Sequence, residues 1–161
     1  MPKVLPLQTF YEEIQQSPED NDYSFGHLNI FRIEDMVLTK DKKASYSKRS
    51  FYKLTLIKGQ SKIHYADRDV NINGSAIVFS NPSIQYYWEM ISEKQKGYMC
   101  IFTESFFSRI ADISDFAVFQ STGSAAIPLS KEQALNFEAL LLKMFTELQG
   151  NYRSKTNKAS L

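Results

Sequence analysis

The sequence predicts a mainly β domain, a sandwich or barrel of short strands, followed by one long amphipathic helix. Segments rich in aromatic and β-branched residues recur between residues 27 and 102. Turn-forming residues separate them at Gly59, Asp67, Asn73-Gly74, Asn81-Pro82 and Gly97. Many short strands with closely spaced turns are typical of a sandwich or barrel, whereas β-α-β units need helical segments between the strands.

The predicted elements begin with a short amphipathic helix over residues 7–16, in which Phe10 and Ile14 lie one turn apart. Pro18 and the polar residues after it end this helix. Strands are then expected over residues 27–33, 51–57, 61–66, 70–72, 76–79, 84–89 and 98–102. One or two helical turns follow over residues 104–110.

The clearest element is a C-terminal helix of about twenty residues, because both of its ends carry recognisable signals. Ser130 and Gln133 have the spacing of a capping box, and Gly150 supplies a stop. The apolar residues between them repeat every seven positions, which predicts a homodimer paired mainly through Phe137, Leu141, Met144 and Leu148. We expect one structural unit, with a barrel and N-terminal arm over residues 1–129 and the dimerisation helix with the start of a linker over residues 130–161.

Composition excludes several function classes. The 161 residues fit one domain, and 19 basic against 18 acidic residues give a net charge of +1, without an obvious basic stripe for nucleic acid. Cys100 is the only cysteine, so neither an intrachain disulfide nor a thiolate metal cluster can form. Because no secretory signal and no long apolar run are present, we expect a cytoplasmic protein that does not contact membranes.

Catalytic motifs are missing from the sequence. It contains no glycine-rich nucleotide loop, no nucleophile elbow and no zinc-protease motif. Its two histidines, His27 and His64, have no recognisable catalytic partners, and Cys100 lies in an apolar strand where a thiol is usually an inert part of the core. These observations predict that the protein is not an enzyme.

The segment FYKLTLIKGQSKIHYADRDVNINGSAIVFSNPSIQYYW, from Phe51 to Trp88, resembles the first barrel stretch of AraC-type transcription regulators, especially the variant common in Bacteroidetes. The similarity extends from about residue 10 to residue 107. It implies a cupin-like double-stranded β-helix, a jelly-roll barrel, that binds a small-molecule effector and dimerises. The family reads DNA through a C-terminal helix-turn-helix module. That module has no counterpart here, so we expect DNA contact only through a part of the protein beyond this chain.

The resemblance also predicts that no metal is bound. Metal-binding cupins carry His-x-His, then an acid, and later another His; the matching positions here read Ser47-Lys48-Arg49, Lys53 and Tyr86. Two cationic side chains would repel a divalent ion, and tyrosine is a poor substitute for imidazole. We therefore expect a barrel without cofactors.

A metal-free barrel still has an interior in which a ligand can bind. If the strand register of metal-binding cupins holds, alternation places one set of side chains inside: Ser47, Arg49, Phe51, Lys53, Thr55 and Ile57. The resemblance to arabinose-binding relatives implies further contacts from the segments around Tyr86 and Met99. The expected ligand-binding residues are therefore Arg49, Lys53, Tyr86, Tyr87, Trp88 and Met99, and a guanidinium beside aromatic rings suits a sugar or a small carboxylate.

Four alternatives remain at this stage. The aromatic cluster Tyr86–Trp88 is equally compatible with ordinary core and rim packing, and a one-residue slip of register would turn Arg49 and Lys53 outward. A small cupin enzyme of the sugar isomerase or epimerase type would need an internal base, for which Glu89 is the only obvious acid near the aromatic cluster. A carbohydrate-binding module would usually lack the C-terminal helix.

Overall fold

A computed structural model describes residues 3–5, 11, 27–36, 47–49, 51–120 and 125–149 of the chain. For residues 3–5, 47–49 and 125 it describes the backbone alone. The predicted helix over residues 7–16 lies outside the described residues apart from Tyr11, which is helical. The predicted stop at Gly150 and the tail after it also lie outside them.

The described chain is mainly antiparallel β structure followed by a long helix, which confirms the predicted fold class. The strands are β1 (Lys3–Leu5), β2 (Leu28–Arg32), β3 (Ser47–Arg49), β4 (Tyr52–Tyr65), β5 (Asp69–Ser80), β6 (Tyr86–Met90), β7 (Lys96–Phe102) and β8 (Ala125–Pro128). The helices are α1 (Glu104–Phe107) and α2 (Lys131–Gln149), and short 3-10 turns lie at Ile33–Asp35, Ile113–Asp115 and Ala117–Phe119.

The long strand β4 organises the sheet because it has partners along its whole length. Its first half pairs with β7, its second half pairs with β6, and β5 follows its other edge throughout. Strand β2 extends the sheet beyond β7, β3 and β1 extend it beyond β6, and β8 lies beside β5. All of these pairings are antiparallel except that of β1 with β3.

The structure corrects the prediction that the strands around Gly59 and Asn73-Gly74 are short and separated by turns. Strands β4 and β5 form one continuous hairpin, in which Gly59 lies opposite Gly74. Both glycines have positive φ angles, of 146° and 99°, which other residues rarely adopt. Glycine inside a strand often marks a bulge or a bend, and here the two glycines lie within the long hairpin and do not end its strands.

Strand alternation gives the sheet two distinct faces, each with its own core. We call the face enclosed by the curved sheet the inner face; its core contains buried residues of β2, β4, β5, β6 and β7, including Phe31, Ile57, Ile63, Val78, Tyr86 and Ile101. The outer face carries a second core, which includes Ile30, Leu56, Tyr98, Cys100 and Phe102. Neighbouring residues of one strand therefore belong to different cores.

Helix α2 begins as its sequence predicts. The backbone N–H of Gln133 donates to Ser130 Oγ at 3.1 Å, and the N–H of Ser130 donates to Gln133 Oε1 at 3.0 Å. This reciprocal pair is a capping box, and it satisfies N–H groups that have no partner within the helix.

Helix α2 packs on the outer face of the same chain. Leu141 is only 5% exposed there, and Phe137 and Leu148 are partly buried in the same core, whereas Met144 is 41% exposed. Three of the four residues expected to pair two protomers thus contact the chain's own sheet. The exposed apolar residues of the helix are instead Leu135, Leu140, Leu142 and Met144.

None of the described helices is both long and apolar enough to cross a membrane.

Candidate functional site

Lys53 is the only charged side chain that is buried among the described residues, with 5% of its surface exposed. It belongs to β4 and points to the inner face, as do Phe51 and Ile57 of the same strand. Its Nζ lies 4.8 Å from the centre of the Tyr86 ring and 5.5 Å from that of Trp88. Aromatic faces attract cations at these distances, so β6 stabilises a positive charge that β4 carries into the interior.

Thr55 lies two residues further along β4 and faces the same interior. Its neighbours across the sheet are Val78 of β5 and Met99 of β7, both of which line the inner face. The side chain is 1% exposed, and its Oγ1 has no hydrogen-bond partner among the residues that the structure describes. A buried hydroxyl without a partner is destabilising, so this atom marks a place where a bound molecule or water would gain a hydrogen bond.

A third polar residue, Ser80, completes this end of the interior. Ser80 is the β5 partner of Lys53 in the antiparallel register and is buried. Directly opposite residues on one face of an antiparallel pair have Cβ atoms about 5 Å apart. We call Lys53, Thr55 and Ser80 the polar end of the inner face.

The remainder of the described inner face is mainly apolar and aromatic. Ser61 is buried, but its hydroxyl donates to Gln95 Oε1 at 3.1 Å, and the Gln95 amide donates to the Gln60 carbonyl at 2.7 Å. The other buried side chains of this core are apolar or aromatic, and the aromatic ones include Tyr11, Tyr65 and Tyr86, each with a hydroxyl group. The described inner face therefore combines the polar end with a mainly apolar surface that also carries tyrosine hydroxyls.

The structure brings together four of the six residues predicted to bind a ligand. Tyr86 and Trp88 contact the ammonium group of Lys53, and Met99 packs against the same core. Arg49 lies in β3, but its side chain is outside the described residues. Thr55 and Ser80 were not among the predicted ligand contacts. Alternation along β4 already placed Thr55 inside, whereas the position of Ser80 depends on the pairing of β5 with β4.

Tyr87 points away from the other predicted ligand contacts because side chains alternate along β6. On the outer surface its ring stacks on His64, with centroids 4.2 Å apart and an interplanar angle of 13°. His64 also contacts two carboxylates. Its Nδ1 lies 2.9 Å from Asp69 Oδ1 and its Nε2 lies 2.6 Å from Glu89 Oε2. Glu89, 53% exposed, is therefore a surface residue and not an acid of the interior.

Two further predicted features concern nucleophiles and metals. Cys100 is buried in the outer core, and desolvation raises the pKa of its thiol to about 12. Within the part of the chain that the structure describes, no three histidine, cysteine or acidic residues converge as metal ligands do. The prediction that no metal is bound stays a prediction.

Comparison with known proteins gives structural similarities only. No protein-family model and no curated protein matches the chain. Among solved structures it is similar to ToxT from Vibrio cholerae, with 14% sequence identity and a TM-score of 0.41 over 72% of this chain and 47% of that chain. It is also similar to wild-type ToxT from strain SCE256 with an unsaturated fatty acid bound, with 21% identity and a TM-score of 0.34 over 54% of this chain and 31% of that chain.

Vicilin from hazelnut, Corylus avellana, is a further similar structure, with 10% identity and a TM-score of 0.28 over 78% of this chain and 44% of that chain. The chain spans less than half the length of each of these three structures. At these identities and TM-scores, the similarities establish neither a family nor a function for the chain.

Proposed function

We propose that the chain is the effector-sensing and dimerisation domain of an AraC-type transcription regulator, and that it binds a small polar or anionic ligand on its inner face without a metal. The observation that carries this proposal is the buried ammonium group of Lys53 against the rings of Tyr86 and Trp88. A cation in an apolar interior costs several kcal/mol of desolvation unless other groups offset it. The rings of Tyr86 and Trp88 offset part of this cost, and the positive charge that they hold in the interior would attract a ligand with negative charge or hydrogen-bond acceptors.

Two features of the whole chain support the regulator class. The segment Phe51–Trp88 carries the residue pattern that resembles the Bacteroidetes variant of the AraC family, and a mainly β domain followed by an amphipathic helix is the architecture that this resemblance implies. In this proposal residues 1–129 form a cupin-like sensory barrel in the cytoplasm, residues 130–161 form the dimerisation helix and linker, and a separate helix-turn-helix module contacts DNA.

The enzyme alternative loses its candidate base. Glu89 was the acid that an isomerase or epimerase would have used, and it lies on the outer surface beside His64. Every acidic residue that the structure describes is exposed to solvent. His64 also points outward, so neither Glu89 nor His64 can supply general acid–base chemistry to the interior.

A ligand screen that reads the interior directly tests the proposal. Trp88 is the only tryptophan of the chain, so intrinsic fluorescence reports on the surroundings of Lys53. We expect at least one compound in a panel of sugars and small carboxylates to change the Trp88 emission and to raise the melting temperature by about 2–4 °C, which corresponds to about 1 kcal/mol for a chain of this size.

The matched variants for this screen are Lys53→Met and Tyr87→Leu, one on each face of the sheet. Lys53→Met should abolish both responses because it removes the buried charge. Tyr87→Leu should retain them, because Tyr87 stacks on His64 on the outer surface. A panel without a single responding compound, or a response that Lys53→Met leaves unchanged, would contradict the proposal.

A further inference from the structure

We infer that Gln95 is a positioning residue for the inner face, because it fixes the bend of β4 that brings Lys53 against Tyr86 and Trp88. The relevance of this role to ligand binding rests on the proposed function, since Gln95 acts on the contact that carries it. The test needs no ligand, so the positioning role can fail while the proposed function stands.

The contact between Lys53 and Trp88 joins the two halves of β4. Lys53 lies in the first half, whereas Trp88 of β6 pairs with Ile63 in the second half, ten residues further along β4. A straight strand would place residues at this spacing about 33 Å apart, because it rises about 3.3 Å per residue. The Lys53 Nζ is nevertheless 5.5 Å from the centre of the Trp88 ring. The candidate site therefore exists only because β4 bends between these residues.

The bend coincides with the point at which β4 changes partners along one edge. Lys58 is the last residue that pairs with β7, and Ser61 is the first that pairs with β6. On this edge no described strand pairs with Gly59 and Gln60 between them, although both pair with β5 on the other edge. Residues 91–95 connect β6 to β7, and we call them the β6–β7 connection.

The β6–β7 connection replaces the missing strand at Gln60. The Gln60 N–H donates to Ser92 Oγ at 3.0 Å, and the Gln60 carbonyl accepts from the N–H groups of Ile91 and Ser92 at 3.0 and 3.1 Å. The side-chain amide of Gln95 donates to the same carbonyl at 2.7 Å. Backbone polar groups away from water need partners, so these bonds hold β4 in its bent form where strand pairing is interrupted.

Gln95 is the buried part of this connection, with 7% of its surface exposed. Its Oε1 accepts from the hydroxyl of Ser61 at 3.1 Å, so one side chain links Gln60 to the start of the second half of β4. A buried amide that loses its partners is not compensated by water, which makes this link costly to break. Gly59 permits the close approach, because a Cβ there would lie 2.9 Å from Ser92 Oγ and 3.2 Å from Gln95 Cγ.

The test reads the position of Lys53 by nuclear magnetic resonance on the intact chain with carbon-13-labelled lysine. Protons over the face of an aromatic ring are shifted upfield by its ring current, so the ε-methylene protons of Lys53 should resonate upfield of those of the other lysines. Contacts from this signal to the indole protons of Trp88, the only tryptophan, assign it. Gln95→Met keeps the length of the side chain but loses both hydrogen bonds, and should move the signal at least halfway back towards the other lysines.

Two control variants separate positioning from a general loss of stability. Lys94→Ala changes an exposed side chain of the same connection, and Ser130→Ala weakens the start of α2 on the outer face; both should leave the Lys53 signal in place. Ser61→Ala removes the hydroxyl that holds Gln95, so it should move the signal in the same direction as Gln95→Met but by a smaller amount. Circular dichroism shows whether each variant is folded, and if Gln95→Met is not, Ser61→Ala decides.

Each remaining outcome overturns the positioning role. If the Lys53 signal stays in place in folded Gln95→Met, or moves equally in Lys94→Ala or Ser130→Ala, the role is lost and the proposed function is untouched. If no lysine signal of the parent chain lies upfield, Lys53 does not lie over the rings, and the contact that carries the proposed function is lost together with the positioning role.

Discussion

At the scale of single residues, the same strand places neighbouring side chains in different chemical environments. Met99 faces the inner core, and Cys100 faces the outer core next to it along β7. Burial raises the pKa of the Cys100 thiol to about 12, compared with 9.0 for an exposed thiol. The nucleophilic form of cysteine is the thiolate, so a raised pKa and an inaccessible sulfur both suppress its reactivity.

We therefore predict that Cys100 does not react with a thiol-specific disulfide reagent in the native protein at pH 8. With the pKa above its ordinary value, the thiol stays neutral at every pH well below about 12, whereas an exposed thiol would be about one-tenth ionised at pH 8. After denaturation one equivalent should react within minutes. Rapid labelling of the native protein, at the rate of the denatured chain, would contradict the buried position.

At the scale of elements, the start of α2 shows how a local signal is realised. The Ser130 hydroxyl accepts from the Gln133 N–H, and the Gln133 side chain accepts from the Ser130 N–H. Both bonds join residues three apart, so they depend on nothing beyond the helix itself. Because α2 also packs Leu141 against the sheet, a weaker helix start should reduce the stability of the whole domain.

Ser130→Ala should lower the free energy of unfolding by about 1 kcal/mol, the usual contribution of an N-cap hydroxyl. Urea unfolding measured by circular dichroism provides the value. Ser130→Asp is the matched control, because aspartate is an equally good N-cap and its charge is favourable at a helix N-terminus. A loss of stability in the aspartate variant equal to that of the alanine variant would argue against a capping role.

A second element-scale feature is the contact among β4, β5 and β6 at His64. One carboxylate from each neighbouring strand faces one ring nitrogen, and Tyr87 of β6 stacks on the ring. His64→Phe should retain the stacking but lose both polar contacts, at a cost of about 1 kcal/mol, since the freed carboxylates are exposed and are solvated by water. His64→Ala loses the stacking as well and should be less stable than His64→Phe in the same urea experiment. Equal stabilities of the two variants would show that the stacking contributes nothing.

Features that depend on near neighbours in the sequence were predictable, and features that depend on strand pairing were not. The capping box follows from a spacing of three residues, and the shared face of Lys53 and Thr55 follows from the two-residue period of a strand, whereas their inward orientation was expected only if the register of metal-binding cupins holds. The continuous hairpin was not predictable, because a glycine such as Gly59 or Gly74 is compatible both with a bend inside a strand and with a turn that ends it. The cluster at His64 requires the registers of β5 and β6 with β4, which span up to 25 residues of sequence.

The predicted candidate site divides in the same way. Tyr86 and Trp88 alternate with Tyr87 along β6, so the strand period alone separates the tyrosine that contacts Lys53 from the one that stacks on His64. Ser80 joins the polar end only through its pairing with Lys53 across the hairpin. Likewise, the apolar repeat of α2 predicted a helix correctly, but a repeat does not reveal whether the chain's own sheet or a second protomer covers it.

At the scale of the whole molecule, β2 and β7 connect the inner face to α2. Phe31 belongs to the inner core, while Ile30 on the same strand belongs to the outer core together with Leu141 of the helix. The Arg32 guanidinium lies 5.2 Å from the centre of the Phe145 ring. Under the proposed function, a ligand that displaces the inner side chains of β2 would also move the surface on which α2 packs.

The dimer expected from the sequence requires a different surface from the one first predicted. Leu141 packs on the chain's own sheet, so a charge at this position should disrupt folding and would not report on dimerisation. Leu135 and Leu142 are 58% and 47% exposed and are seven residues apart, which places them on one face of α2. Leucines at this spacing are suited to isologous pairing with the same helix of a second copy.

We predict that the chain sediments as a dimer at protein concentrations on the order of tens of micromolar, because mass action favours association through even a modest helix–helix interface at these concentrations. The double variant Leu135→Glu and Leu142→Glu should be monomeric, because four carboxylates would then meet at the contact, and its circular dichroism should be unchanged. Lys143→Glu, an exposed position of the same helix, is the control for the added charge and should remain dimeric. A monomeric parent chain would contradict dimerisation through this helix, and a double variant that stays dimeric would place the contact elsewhere on the domain.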